Sequence, residues 1–253
     1  MATGVLMNDI LDKARFVSAV SMALARDSQE GGIGTLSEKT VHAALKEYFC
    51  PDQSMHEVPV RGYVADIFTG EEIIEIQTRH FDKLKGKLSA FLPAYPVTIV
   101  YPVSMEKRLY WINEDTGECR EGRISPLKGK PHQVFGELYR IRSYLSHPNL
   151  KLAICMLNVR EYRTLKSRKN GKKRTSKLDR VPESLEGIYR LERNEDYRLF
   201  LPDTLPEVFT SSEYAKACHI SLDSARYTLL LLSDLQTVYR VGKQGRSILY
   251  SVC

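Results

Sequence analysis

Residues 63–78, with the sequence YVADIFTGEEIIEIQT, decide the fold. They form two short runs rich in Val and Ile, which a turn at Gly70 separates; this pattern is typical of a β-hairpin. Because side chains alternate along a strand, Glu75 and Gln77 share one face of the second run. The stretch therefore predicts a hairpin that brings Asp66 close to Glu75.

A pair of acids in this arrangement suggests a metal site. Two carboxylates from adjacent strands, with the carbonyl of Ile76 nearby, supply the hard oxygen ligands that Mg²⁺ prefers. Such an ion activates water and neutralises the charge that develops on a phosphodiester. The alternative is that Asp66 and Glu75 are a solvent-facing pair on an ordinary hairpin.

The segments around this hairpin predict a mixed α/β fold. Helical apolar spacing and N-capping residues predict helices over 8–26, 37–49, 80–91 and 132–145. Val- and Ile-rich runs bounded by turn residues predict strands over 56–60, 97–103, 108–113, 119–124 and 150–159. Pro59 places the first of these strands at an edge. The expected architecture is a mixed central sheet flanked by helices.

The order of these segments resembles the PD-(D/E)xK nuclease superfamily, which has the restriction-endonuclease-like fold. The resemblance spans roughly residues 37–102. It assigns Asp66 to the first acid of the family motif, Glu75 to the second, and Glu38 to the additional acid of many members. It implies that Glu38, Asp66 and Glu75 bind Mg²⁺, for which Mn²⁺ can substitute.

The sequence departs from the family motif at Gln77, which stands where the family usually has a lysine. Glutamine lacks the positive charge that orients the attacking water. Three lysines on the following helix, Lys83, Lys85 and Lys87, are candidates to place an ammonium group in the same space. We name Asp66, Glu75, Gln77 and Lys83 as the catalytic residues.

The last fifty residues, 203–253, form a separate predicted unit. They contain a helix over 213–217, a second helix over 222–235 that Ser221 can cap, and two strands over 237–241 and 246–250. This order resembles winged-helix domains and implies DNA contacts through Arg226, Lys243 and Arg246. The alternative is a module that docks on its own chain or on a protein partner.

A basic segment lies between the two units. Residues 163–180 are about half Lys and Arg, with Asp179 as the one acid. We interpret them as a flexible loop that tracks phosphates, with Lys172, Lys173 and Arg174 as the contacts. The alternative is a solvated surface hairpin.

Composition limits the class of protein. Hydrophobic residues make up 43% of the chain and charged residues 27%, a balance typical of globular proteins, and the formal net charge of +6 suits a polyanionic partner. The five cysteines are scattered singly, which argues against a zinc ribbon or a disulfide framework. Without a membrane span or a secretory signal, we expect a soluble cytoplasmic protein.

Together these patterns predict a metal-dependent DNA endonuclease with a nuclease-like domain over 1–200 and a winged helix over 203–253. Its expected partner is duplex or branched DNA, with a homodimer or a protein partner as further options. A competing hypothesis is a non-catalytic DNA-binding regulator or adaptor on a nuclease-like scaffold, and a weaker one is action on RNA. The chain has no P-loop, dinucleotide fingerprint or Ser-His-Asp arrangement that would favour other enzyme classes.

Overall fold

The structure, a computed structural model, describes residues 11–29, 39–113, 116–166 and 174–253. The described helices are α1 (Lys13–Gln29), α2 (Lys39–Phe49), α3 (Lys85–Phe91), α4 (Val134–Leu138), α5 (Ser211–Cys218) and α6 (Leu222–Asp234). The described strands are β1 (His56–Val60), β2 (Tyr63–Phe68), β3 (Ile73–Ile76), β4 (Val97–Asn113), β5 (Cys119–Ile124), β6 (Leu150–Lys166), β7 (Arg174–Leu191), β8 (Val208–Thr210), β9 (Val238–Gln244) and β10 (Ser247–Val252). No helix in these ranges is long and apolar enough to cross a membrane.

Seven strands form the main sheet, in the order β1-β2-β3-β4-β6-β7, with β5 paired to β4. β3, β4 and β6 run parallel to one another, and the remaining pairs are antiparallel. The predicted mixed α/β sheet is therefore confirmed. β1 lies at the sheet edge, where Pro59 removes no hydrogen bond from an inner ladder.

Helices cover both faces of this sheet. On one face, α1 and α2 pack on Ile74, Ile76 and the inward residues of β6. On the other face, α3 and α4 pack on Ile73, Ile99 and their neighbours. Since consecutive residues of β3 point to opposite faces, all four residues of this short strand are buried. The two helix layers therefore enclose the acid of β3, Glu75.

Two predicted helices differ from the structure in their regularity. The helix expected over 80–91 begins as a 3₁₀ turn, Phe81–Leu84, before α3. The helix expected over 132–145 is reduced to α4 between 3₁₀ turns, Pro131–Gln133 and Tyr139–Tyr144. Ile141 has non-helical backbone angles (φ −115°, ψ 22°), which break the helix because this buried side chain turns into the core.

The strands β4 and β6 are longer than predicted, and the sequence did not predict β7. β4 is one strand of 17 residues, where the sequence suggested separate strands over 97–103 and 108–113. β6 and β7 pair from Leu152 to Lys166, so the basic segment 163–180 is mostly an antiparallel hairpin. The expectation of a flexible loop over that whole segment was wrong in extent, because its flanks are held in the ladder. Residues 167–173, which include Lys172 and Lys173, lie outside the described residues.

The C-terminal residues form two helices and a three-stranded sheet, in the order β8-β10-β9. Thr210 caps α5 in a reciprocal arrangement with Glu213, and the predicted cap is confirmed because Ser221 accepts a hydrogen bond from the Ser224 amide at 3.2 Å. The apolar core of this unit is continuous with α4. Arg142 adds a bidentate ion pair to Asp234 of α6 at 2.5 and 2.7 Å. The unit therefore packs directly on the main α/β layers.

Candidate active site

The hairpin of β2 and β3 opens at the two acids. Ile67 pairs with Ile74 and Phe68 with Ile73, but the regular ladder stops before Asp66 and Glu75. On its other side, β3 pairs with β4 along its whole length, and that ladder extends to a hydrogen bond from the Gln77 amide to the Val100 carbonyl at 2.9 Å. The separation of the two strands makes room for carboxylates between them.

Side-chain hydrogen bonds replace the missing backbone ladder. The amide of Ile76 donates to Asp66 Oδ2 at 2.8 Å, and the amide of Asp66 donates to Glu75 Oε1 at 3.3 Å. Each carboxylate thus accepts a hydrogen bond from the other strand. This exchange holds the two carboxylates of the predicted pair next to each other, as the sequence indicated.

Lys87 of α3 adds a positive charge to the acid pair. Its Nζ donates to Glu75 Oε2 at 2.6 Å, and its side chain is 24% exposed while that of Glu75 is 2% exposed. Close packing of α3 makes this reach possible: a Cβ on Gly86 would lie 2.6 Å from the hydroxyl oxygen of Tyr63 on β2. The ring of Tyr63 also packs edge-on against Phe91. Lys87 is therefore the lysine that contacts the acid pair.

His42 approaches the pair from the opposite layer. Its Nε2 lies 3.2 Å from Asp66 Oδ2, and α2 carries it on the side of the sheet away from α3. The Asp66 side chain is 15% exposed. The described residues place no donor on its Oδ1, so this oxygen is open to a ligand.

The two acids differ in their ionisation. Burial, with the negative charge of Asp66, raises the pKa of Glu75 to about 7, although Lys87 opposes the shift. Burial also acts to raise the pKa of Asp66, but the hydrogen bond and charge of His42 and the Ile76 amide outweigh it, so the pKa of Asp66 lies below its usual value. At neutral pH, Asp66 is ionised and Glu75 is close to its midpoint.

Gln77 and Lys83 do not approach the carboxylates as the sequence suggested. The amide group of Gln77 donates to the carbonyls of Arg79 and His80 at 2.5 and 3.4 Å, where it braces the turn before the 3₁₀ segment. His80 begins that segment with a left-handed backbone (φ 61°). Lys83 is exposed on the same segment, one helical turn before Lys87.

A metal would find two hard carboxylate ligands here, Asp66 and Glu75. Glu38, the third acid that the resemblance implied, lies outside the described residues. Within the described ranges, no three His, Cys, Asp or Glu side chains gather closely enough to hold a metal ion. The electrostatics nevertheless suit a divalent cation, because it would relieve the repulsion that helps to raise the pKa of Glu75.

Of the residues predicted to contact DNA, Arg226, Lys243 and Arg246 are exposed. Arg226 is exposed on the first half of α6 and pairs with Asp223 at 3.1 Å. Lys243 and Arg246 are exposed around the tight turn between β9 and β10, where Gly245 has a φ of +60°. Arg174 is the first described residue of β7.

A sequence pattern could have identified Lys87 as the lysine of the site. Buried Leu84, Leu88 and Phe91 occupy the inward positions of the 3₁₀ segment and α3. Lys87 falls three residues after Leu84 on this apolar stripe, whereas Lys83 does not. A lysine at an inward position beside a strand acid requires a buried partner, and Glu75 supplies it.

Comparison with known proteins indicates a family. The model of the family described as "Domain of unknown function (DUF8091)" matches residues 39–192. A protein of Treponema pallidum (strain Nichols), described as "Uncharacterized protein", is 33% identical over 228 residues, which cover 86% of each chain. No solved structure matches the chain significantly. The matched residues include Asp66, Glu75 and Lys87, and the chain belongs to the DUF8091 family.

Proposed function

We propose that this protein is a metal-dependent DNA endonuclease of the restriction-endonuclease-like fold, with a winged helix as its C-terminal unit. One observation carries the proposal: Asp66 and Glu75 meet where β2 and β3 separate, and Lys87 contacts Glu75. Two acids and a lysine are the groups that such hydrolysis uses. Here the lysine comes from α3, and Gln77 occupies the usual position.

The carboxylates of Asp66 and Glu75 would hold Mg²⁺ or Mn²⁺, with Glu38 as a third candidate ligand. A bound cation supplies Lewis-acid chemistry, since it lowers the pKa of water and neutralises phosphate charge. Lys87 holds Glu75 in place and puts a positive charge beside the acid pair. His42 favours the ionised form of Asp66, which keeps a negative ligand available at neutral pH.

DNA would be positioned by groups outside this centre. Arg226 near the start of α6, together with Lys243 and Arg246 at the β9–β10 turn, would contact the backbone in the manner of a winged helix. Lys172, Lys173 and Arg174 of the basic segment would add phosphate contacts. These contacts supply affinity that depends on salt and is independent of base sequence.

A second candidate function is a DNA-binding regulator that keeps the nuclease fold without catalysis. The position of Gln77 favours it, because its amide group bonds to backbone carbonyls and supplies no charge at the acid pair. Such a protein would retain DNA binding and would have no use for Mn²⁺ at Asp66 and Glu75.

A cleavage assay on supercoiled, linear and branched DNA, with Mg²⁺, Mn²⁺ or EDTA, tests the proposal. The matched variants are Asp66→Asn in the acid pair and Glu71→Gln, which alters an exposed acid on the same hairpin. We expect cation-dependent cutting by the native protein and by Glu71→Gln, and none by Asp66→Asn. Salt-sensitive binding without cutting on any substrate would support the regulator instead.

A further inference from the structure

A fully buried carboxylate lies on the outer part of the sheet, away from the acid pair. Glu161 of β6 is 0% exposed. Its Oε1 accepts a hydrogen bond from Arg163 Nε at 2.7 Å, and its Oε2 accepts one from Arg180 Nε of β7 at 3.2 Å. Arg163 also lies over the ring of Trp111, 5.6 Å from its centre. Both guanidinium groups are therefore held in fixed positions.

More positive charge surrounds Glu161 than this carboxylate neutralises. Lys107 of β4 pairs with Val159 and so shares the face of Glu161, and Lys177 of β7 pairs with Arg163. Burial lowers the pKa of Lys107, and the charges of Arg180, Lys177 and Arg163 add to the shift, although Glu161 opposes it. On the described part of this face, the four cations outnumber the two acids, Glu161 and Asp179, which leaves an excess of positive charge.

The four cations are all at least partly exposed, and Lys107 is half-buried. The side chains of Arg163 and Arg180 are 26% and 27% exposed, and Lys177 is exposed. The planar guanidinium groups of these arginines match a phosphate in geometry. The chemistry of this face therefore suits phosphate oxygens.

The first turn of α2 connects this face with the acid pair. Thr40 donates a hydrogen bond to Asp179, the neighbour of Arg180, at 2.6 Å. Two residues later in α2, His42 contacts Asp66 at 3.2 Å. The cation cluster and the acid pair therefore border the same turn of one helix.

We propose that Lys107, Arg163, Lys177 and Arg180 form a phosphate-binding face for the backbone of duplex DNA. The proposal rests on the proposed function, because DNA as the polyanion comes from there. The face contacts successive phosphates and reads no base, since lysine and arginine charges on phosphates carry no sequence information. It holds the duplex on the α2 side of the sheet, where the backbone leads towards Asp66.

The test is the affinity for a fluorescent duplex, measured by anisotropy in EDTA at several salt concentrations. Lys107→Met with Lys177→Met removes two charges from the proposed face and spares the groups bonded to Glu161. The matched control is Arg108→Met with Arg160→Met, which removes two charges from the opposite face of β4 and β6. Thermal unfolding checks that both variants are folded.

We expect the variant of the proposed face to lose about tenfold or more in affinity, and its slope of log K against log salt to fall by about 1.8, at 0.9 for each lost phosphate contact. The control should bind nearly as the native protein does. Equal losses in the two variants or an unchanged slope would overturn the proposal. This binding assay contains no metal and is independent of catalysis. A failure to cut DNA in the cleavage assay would therefore count against the nuclease and would not affect the binding result.

Discussion

The backbone amide of Asp66 donates a hydrogen bond to the carboxylate of Glu75, and the Asp66 carboxylate in turn accepts one from the amide of Ile76, the next residue of the Glu75 strand. These side-chain hydrogen bonds begin where the backbone ladder of β2 and β3 ends, so they keep the two strands connected beyond it. They also keep two acids close together despite their repulsion. Two largely buried carboxylates side by side reduce the stability of the fold, so a purely structural role does not explain them. A pair that binds a cation is expected to have this arrangement.

The acid pair is expected to be essential for cleavage. Glu75→Gln preserves the shape of the side chain but removes a negative ligand, so we expect a loss of about 100-fold or more in the cleavage rate, with DNA affinity nearly unchanged. Single-turnover cleavage and anisotropy measure the two properties separately. A parallel loss of binding or folding would contradict the assigned role.

Lys87 and Lys83 offer a comparison on neighbouring turns. Lys87→Met removes the charge that contacts Glu75, and we expect the cleavage rate to fall about 100-fold and the pH profile to move upward, because the pKa of Glu75 rises without its partner. Lys83→Met alters an exposed side chain, and its activity should stay within about twofold of the native value. Equal losses in both variants would contradict our assignment of Lys87.

The raised pKa of Glu75 predicts a dependence of stability on pH. The folded protein holds this proton up to about pH 7, whereas the unfolded chain releases it near 4.5. The free energy of unfolding should therefore fall by about 3 kcal/mol, relative to the Glu75→Gln variant, as the pH rises from 4.5 through 7. Urea unfolding of both proteins at pH 4.5, 6 and 8 tests this. Parallel curves for the two proteins would show that Glu75 ionises normally.

His132 predicts the opposite dependence. It lies between α4 and the C-terminal unit, beside Phe200 and Tyr214, and both ring nitrogens are buried, with the backbone of Phe200 as a hydrogen-bonding neighbour that opposes the shift in pKa. Burial, with the charge of Lys130, lowers the pKa of His132 from 6.5 to about 4, so its contribution to stability is present above pH 6.5 and is lost as the pH falls through 4.

The variant His132→Phe should be about as stable as the native protein at pH 8, because a buried polar ring is replaced by an apolar ring among aromatic neighbours. Below pH 6.5 it should lose about 3 kcal/mol less of its free energy of unfolding than the native protein does. Urea unfolding between pH 4 and 8 measures the difference. The same acid sensitivity in both proteins would show that His132 is not the titrating group.

Local sequence patterns were sufficient to predict several features of the fold. Alternation along residues 63–78 placed Asp66 and Glu75 on paired strands, Pro59 placed β1 at an edge, and Ser221 marked the start of α6. These features depend on residues a few positions apart, whose backbone preferences and side-chain periodicity are set within the segment itself.

Other features depended on segments that are distant in sequence. Which lysine reaches Glu75 was decided by the packing of α3 on β2 at Gly86, and the direction of Gln77 by the turn that follows it. The basic segment became part of a hairpin because β6 and β7 pair over their length, which also surrounded Glu161 with cations. The sequence alone determined the hairpin of the two acids, the edge strand and the cap of α6, because short-range geometry controls them. Only the tertiary structure decided which charged side chains contact each other. A buried acid and its partners come from elements that are distant in sequence and pack together only after folding.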